Sequence, residues 1–403
     1  MKWTRSISIL LGTVLILSAC QPGSHSRGKV TACIHEDITL LEPGWQVAWS
    51  TRIEDGYIED RPYVVRDYLI MIDRDISNPT QKRIRAYHLH SGKEVWRSPW
   101  FRGYPDRGTL RIASASYIAG YANASTTVFV WHVESGELAA QIEGPWVFSL
   151  ALDDQRLYVH DYFGNFRAYN LPGGKLAWER QLPEAMRGGD LFVTQGRLVV
   201  SLLTGLWILD TESGQTIAEF PPNASASAWL YEDTFMVGDE GAALAFLQAV
   251  SIETGKLVWR ERCWPFITYE PPAYSDGILY FPGGDNGLKG ARQIMAVALE
   301  SGDLLWTYQP EEEIGILSGI AISNSTGYVI LSDGTLRAID LKGGQASVIL
   351  RSKALYDLAT YWTVDDGEGG YRVPGVAVID GYVFASFGCQ TVYALRTPEQ
   401  TGK

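Results

Sequence analysis

The chain has 403 residues, 46% of them hydrophobic and 12% aromatic, with a formal net charge of −12 and four cysteines. That much apolar material can bury a large core. An acidic balance without any basic run argues against nucleic acid and anionic lipid surfaces as partners.

Residues 1–19 read as a cleavable leader. Met1 to Arg5 form a basic start, and Ile7 to Leu17 an apolar core of 11 residues, too short to span a bilayer. The stretch ends in Leu17-Ser-Ala-Cys20, which resembles the lipobox of bacterial lipoproteins. That resemblance implies cleavage before Cys20 and acylation of its thiol and amine. An ordinary secretory signal with an incidental cysteine is the alternative. Several acyl chains, at about 0.8 kcal/mol per buried methylene, hold a protein stably on a membrane. Gln21 after the cysteine implies the outer membrane, where one is present. Residues 20–40, with Pro, Gly and Ser among them, read as a tether.

From there a phrase recurs: a small residue, three more strand residues, a Ser/Thr/Gly-Gly turn, and often a Trp four residues after the turn glycine. It runs Ala86 to Trp96, Ala168 to Trp178, Ala249 to Trp259 and Ala296 to Trp306, with weaker copies around Gly136, Gly214 and Gly344. The turn glycines Gly92, Gly136, Gly174, Gly214, Gly255, Gly302 and Gly344 are spaced 38 to 47 residues apart. Such a period marks stacked supersecondary units. Upstream of each phrase lie short apolar runs opened by turns, such as Asp276-Gly-Ile-Leu-Tyr-Phe and Asp380-Gly-Tyr-Val-Phe. Each unit therefore predicts about four strands, arranged radially as a propeller blade.

The ends set the blade number. Val392-Tyr-Ala-Leu395 begins an eighth phrase and runs out of chain, while Gly44-Trp-Gln-Val-Ala-Trp49 is a Trp strand with no blade before it. The expectation is an all-β, eight-bladed propeller over residues 41–403, its ring closed by the amino-terminal strand. Trp49, Trp96, Trp178, Trp259 and Trp306 are expected between neighbouring sheets, since a Trp buries about 150–250 Å², more than one small sheet hides alone. The phrase alanine is expected to be small because the next sheet approaches there. Closure would also bring the amino-terminal segment near the last blade, which favours a Cys33–Cys389 disulfide; three unpaired thiols, Cys263 included, are the alternative.

The phrase Ala-x-x-x-x-Ser/Thr-Gly-Lys-x-x-Trp resembles the repeat of the pyrroloquinoline-quinone (PQQ) propellers, which occurs in quinoprotein dehydrogenases and in non-enzymatic lipoproteins. An exported chain with eight such blades resembles the BamB-type scaffold lipoproteins of outer-membrane β-barrel assembly. The resemblance covers about Leu41 to Leu395 and implies a propeller with protein partners in the envelope. Its motif residues are structural, so no partner-binding residue is carried over.

Chemistry is sparse. Quinoprotein dehydrogenases place adjacent cysteines over the cofactor, whereas here no two cysteines are adjacent and Cys263 precedes Trp264. PQQ is therefore unsupported as a cofactor, and redox catalysis ranks third among the readings. His88 and His132 occupy matching slots in successive blades, about 10 Å apart at sheet-to-sheet spacing, too far to share a metal. The acidic loops Asp365 to Gly370 and Gly283 to Gly287 read as exposed turns, with calcium as the alternative. What stands out is a set of aromatics leaving the Trp strands: Trp100, Phe101, Trp146, Trp264 and Phe266, with Trp362 entering the last blade. Such connections emerge on one face, where aromatics form a candidate partner-binding patch. Packing between blades is the competing role. The leading expectation is a membrane-anchored, non-catalytic scaffold that binds proteins, and the second is a small-ligand or glycan receptor using the aromatic face.

Overall fold

In a computed structural model the described residues run from 38 to 396, apart from 59–60, 79, 103–112, 122–125, 145, 183–190, 203–204, 221–226, 233, 239–245, 252–255, 263–271, 284–290, 312–313, 353–373 and 388–389. They form eight antiparallel sheets and no helix. The third blade shows the basic unit: Val147–Leu152, Arg156–Asp161, Asn165–Asn170 and Lys175–Gln181, paired in sequence order. First strands of consecutive blades touch one another, as Val147–Leu152 touches Leu191–Thr194, which places them innermost. Turns between the first two strands include Gln195-Gly196, Asp276-Gly277 and Asp380-Gly381, with φ positive at both positions, the twist that suits a two-residue hairpin.

The amino-terminal strand Gln46–Arg52 pairs with Thr391–Arg396 and supplies the outermost strand of the eighth blade. Eight hydrophobic clusters then bridge neighbouring sheets. One of them joins the eighth blade to the first, with Phe384 and Ala394 packed beside Leu69, Met71 and Tyr87.

The outer hairpin has one construction in five of the blades. The phrase alanine sits directly opposite the tryptophan: Ala86 faces Trp96, Ala168 faces Trp178, Ala249 faces Trp259, Ala296 faces Trp306 and Ala394 faces Trp49. A bulge follows each pair. The alanine is thus small opposite an indole of its own sheet, and it lies in a cluster shared with the next sheet, as expected.

Each indole then leans onto the following blade. Trp49, Trp96, Trp178, Trp259 and Trp306 donate from Nε1 to the carbonyls of Leu89, Val133, Thr211, Leu299 and Leu341, at 2.7–3.0 Å. Each acceptor lies three residues before a turn glycine. Those glycines, Gly92, Gly136, Gly214, Gly302 and Gly344, have φ between 66° and 78°, and a Cβ on any of them would come within 3.0 Å of the indole. In the second blade Ala140 stands in the tryptophan slot, and Gly174 meets Ile142 and Ala140 instead.

The residue just before the phrase's small residue alternates in kind. In blades one, three, five and seven it is Arg85, Arg167, Gln248 and Arg337; in blades two, four, six and eight it is Phe129, Trp207, Met295 and Tyr393. The second group packs against the preceding blade. Among the first, Arg337 reaches back to Tyr308 Oη at 2.8 Å and Glu311 at 2.8 Å, and Arg85 reaches Asp55, just past the eighth blade's outer strand.

One boundary moves. Ile38–Leu41, whose first three residues fall in the stretch expected as tether, is a strand, with Ile38 opposite Ser352 and Leu41 opposite Leu350. It adds a fifth strand outside Ala346–Ser352 of the seventh blade, and Ile38, Leu41 and Trp45 pack on the cluster between blades seven and eight.

Candidate partner-binding face

The connections that carry the aromatics leave from the end of each outer strand, beside the turn between strands two and three. In the first blade this end is enlarged. Tyr68–Asp75 and Gln81–His88 form a long hairpin flanked by Gly56–Ile58 and Phe101–Arg102. Asp73 is fully buried there and accepts from Arg83 Nη2 at 2.7 Å and Arg85 Nε at 3.1 Å. Asp55 accepts from the same two arginines, and Arg85 Nη1 donates to Glu94 at 2.7 Å. Burial pushes the Asp73 carboxyl up to about 7, against the opposing pull of the Arg85 guanidinium. Arg83, held from below by the two carboxylates, lies with its guanidinium carbon 3.9 Å over the ring of Trp100. Trp100 is thereby fixed as a half-buried plate on a charged base.

Phe101 does not join that surface. It is 8% exposed and its ring meets Trp131 at 5.6 Å and Phe129 at 6.3 Å, in the gap between blades one and two. The chain turns inward after Trp100 because Phe101 starts a short strand pairing with Lys82.

Trp146 is 52% exposed, at the entry to the third blade. A series of rings runs inward from it: Tyr162 at 6.2 Å, then Phe148, then His160, which stacks on Phe166 at 4.3 Å and 8°. Phe163, in the adjacent turn, is 66% exposed. The turn itself is locked by Asp161, which accepts from the backbone of Phe163 and Asn165 and from Arg167 Nη1 at 2.6 Å. Tyr162 and Phe163 extend the patch beyond the residues picked from sequence. Their signal was present, since Phe163-Gly-Asn is a turn with a large apolar residue at its tip.

His160 is buried among these rings. Neither ring nitrogen has a hydrogen-bond partner, nor does Ser149 Oγ, directly opposite it in register. Burial lowers the His160 pKa to about 4. His88 and His90 lie 5.9 Å apart on the first blade, and His132 packs on Tyr117 at 5.0 Å. Among the described residues no group of three or more His, Cys, Asp or Glu side chains is placed to hold a metal. Cys20, Cys33, Cys263, Cys389, Trp264, Phe266, Trp362 and both acidic glycine-rich loops lie outside the described residues, apart from Gly283 at the end of its strand.

A family model described as outer membrane protein assembly factor BamB matches residues 80–248 and 209–400. The chain belongs to this family. No curated protein matches the sequence. Among solved structures it is similar to BamB from Moraxella catarrhalis, with a TM-score of 0.59 and 11% identity, covering 87% of this chain and 99% of that one. It is also similar to the computationally designed protein Ika8, with a TM-score of 0.61 and 14% identity over the same shares of the two chains. At such identities the two neighbours speak for the PQQ-like propeller fold alone.

Proposed function

We propose that this BamB-family propeller is a membrane-anchored, non-catalytic scaffold that binds protein partners during outer-membrane protein assembly, held through a lipidated Cys20. The observation that carries this reading is the family match across residues 80–400. The first- and third-blade aromatics supply its contact surface: Trp100, made rigid by Arg83, and the exposed Trp146 and Phe163 with the half-buried Tyr162 between them and the interior. Rigid aromatics give contact area at little entropic loss, which suits an interface core.

A second reading is favoured by the same exposed rings. Trp146 and Phe163 would stack against sugar faces, making the chain a glycan receptor. Affinity purification of the intact lipoprotein from crosslinked membranes, beside a Trp100→Ser/Trp146→Ser protein, separates the two. Enrichment of barrel-assembly proteins that is lost in the variant supports the scaffold. Absence of any protein partner in both samples rejects it, and glycan binding then becomes the measurement.

A further inference from the structure

His88 and His90 are both exposed, with the buried Leu89 between them. Their side chains share the solvent side of the first blade, ring centroids 5.9 Å apart. Among the described residues neither imidazole makes a hydrogen bond or an ion pair. Their partners are rings only: each other and, for His90, Tyr382 at 5.4 Å. Each neutral imidazole therefore offers a nitrogen lone pair that nothing else engages, and imidazole nitrogen is a good ligand for Zn²⁺, Cu²⁺ and Ni²⁺.

The spacing suits one shared ion. A metal about 2.0–2.1 Å from each nitrogen holds two imidazole centres about 4.5–6.4 Å apart, depending on the angle at the metal. The backbone beneath the pair is fixed from both sides. His88 N donates to Lys93 O, and His88 O accepts from Ser91 N and Gly92 N. Leu89 N donates to Asp67 O at 2.8 Å, and Leu89 O accepts from Trp49 Nε1 at 3.0 Å. Little backbone freedom remains to be lost on binding, which favours a chelate. Of the charges in the segments touching the pair, Asp67 and Asp380 offset Lys93 and Arg396, while Arg66 is paired with Glu134. Attraction for a cation thus rests on the imidazole nitrogens rather than on net charge.

Other blades do not repeat the arrangement. The same two slots before the turn glycine hold Asn170 and Pro172, Asp210 and Glu212, Ala298 and Glu300, and Asp340 and Lys342. The second blade has His132 with Glu134, but Glu134 is bound by Arg66 at 3.0 Å and His132 lies on Tyr117.

We propose that His88 and His90 chelate one divalent transition-metal ion of the zinc, copper or nickel kind, with water in its remaining positions. The site lies at the seam that closes the ring, since Trp49 and Tyr382 belong to the eighth blade and both histidines to the first. It goes beyond the scaffold reading and does not depend on it.

The probe is Ni²⁺, added to the intact chain made without a polyhistidine tag and stripped of metal by a chelator, with binding followed by calorimetry. The intact protein should bind an ion that the His88→Ala/His90→Ala protein does not. Each single variant should lose about tenfold or more in affinity, at least what loss of an outer-shell partner costs. His90→Phe keeps a ring against Tyr382 and removes the nitrogens, so it should melt like the intact protein yet show the same loss. His132→Ala should bind as the intact protein does. Saturating Ni²⁺ should raise the melting midpoint of the intact chain and leave that of the double variant unmoved.

Equal Ni²⁺ affinity in the intact and doubly substituted proteins would place the ion elsewhere and overturn the proposal. So would absence of binding by the intact protein. An equal loss in His132→Ala would make the effect one of surface histidines in general, and also rejects the paired site. Capture of partners from membranes is unaffected by any of these results, so the scaffold reading is judged separately.

Discussion

Gly92 lies beneath the indole of Trp49, so close that a Cβ at Gly92 would come within 2.5 Å of the ring. Trp49 belongs to the eighth blade through its pairing with Thr391–Arg396, and Gly92 to the outer turn of the first. Gly92→Ala should therefore suffer both a clash and strain at φ 66°. Gly277→Ala is the comparison, since its φ is 76° with nothing within 4 Å of the added carbon. The second variant should lose about 1 kcal/mol and the first roughly twice that or more. Equal melting temperatures for the two would show that the indole yields without loss.

Trp178 fills the gap between blades three and four and donates to Thr211 O at 2.9 Å. Replacing it with Ala should destabilise the protein by about 3–5 kcal/mol, read from denaturant unfolding. Trp178→Phe, which keeps most of the ring but not the donor, should recover the larger part. An unchanged midpoint for Trp178→Ala would contradict the contact.

Asp73 is fully buried between Arg83 and Arg85, whereas Asp55, which binds the same two arginines, is half exposed. Compared above about pH 8, where the buried carboxyl held up at about 7 is ionised, Asp73→Asn leaves two buried guanidiniums short of their anion and should cost about 3–5 kcal/mol. Asp55→Asn should cost less than about 1 kcal/mol, as exposed pairs do. A reversed order in thermal melts would show that the exposed carboxylate carries the network.

His160 has its pKa lowered by burial to about 4. Below about pH 6.5 the unfolded chain takes up a proton that the folded chain refuses. Stability from this residue is therefore whole above pH 6.5 and falls as pH drops toward 4, by roughly 3 kcal/mol in total. His160→Phe should flatten that part of the stability profile between pH 7 and 4.5. A variant with an undiminished acid slope would assign the loss to other groups.

Cys20→Ser should move the protein from the detergent phase to the aqueous phase in a detergent partition of whole cells. Retention in the detergent phase would remove lipidation as the means of anchoring.

The blade framework is readable in sequence because its determinants are local. Glycine in the outer turn, alanine at the start of the phrase and tryptophan at its end all fall within eleven residues, and the turn's positive φ fixes the first of them. What decides the surface is not local. Phe101 follows Pro99-Trp100 in what reads as an exposed connection, yet it is drawn inward by Phe129 and Trp131 of the next blade. His160 has an ordinary strand position, and only the approach of Phe148 and Phe166 makes it a buried base. Ile38–Leu41 is four residues long, and its partner strand lies almost at the other end of the chain. Trp146 is legible as exposed because proline precedes it and the strand begins only after it.

The alternation of Arg85, Arg167, Gln248 and Arg337 with Phe129, Trp207, Met295 and Tyr393 makes neighbouring blades unequal in a regular way. Only part of this alternation is carried by the joints: Arg85 reaches Asp55 and Arg337 reaches Glu311 across them, whereas Arg167 binds Asp161 and Glu179 of its own blade. Duplication of two blades together, about 80 residues, keeps the alternation of residue kinds, and duplication of one blade breaks it.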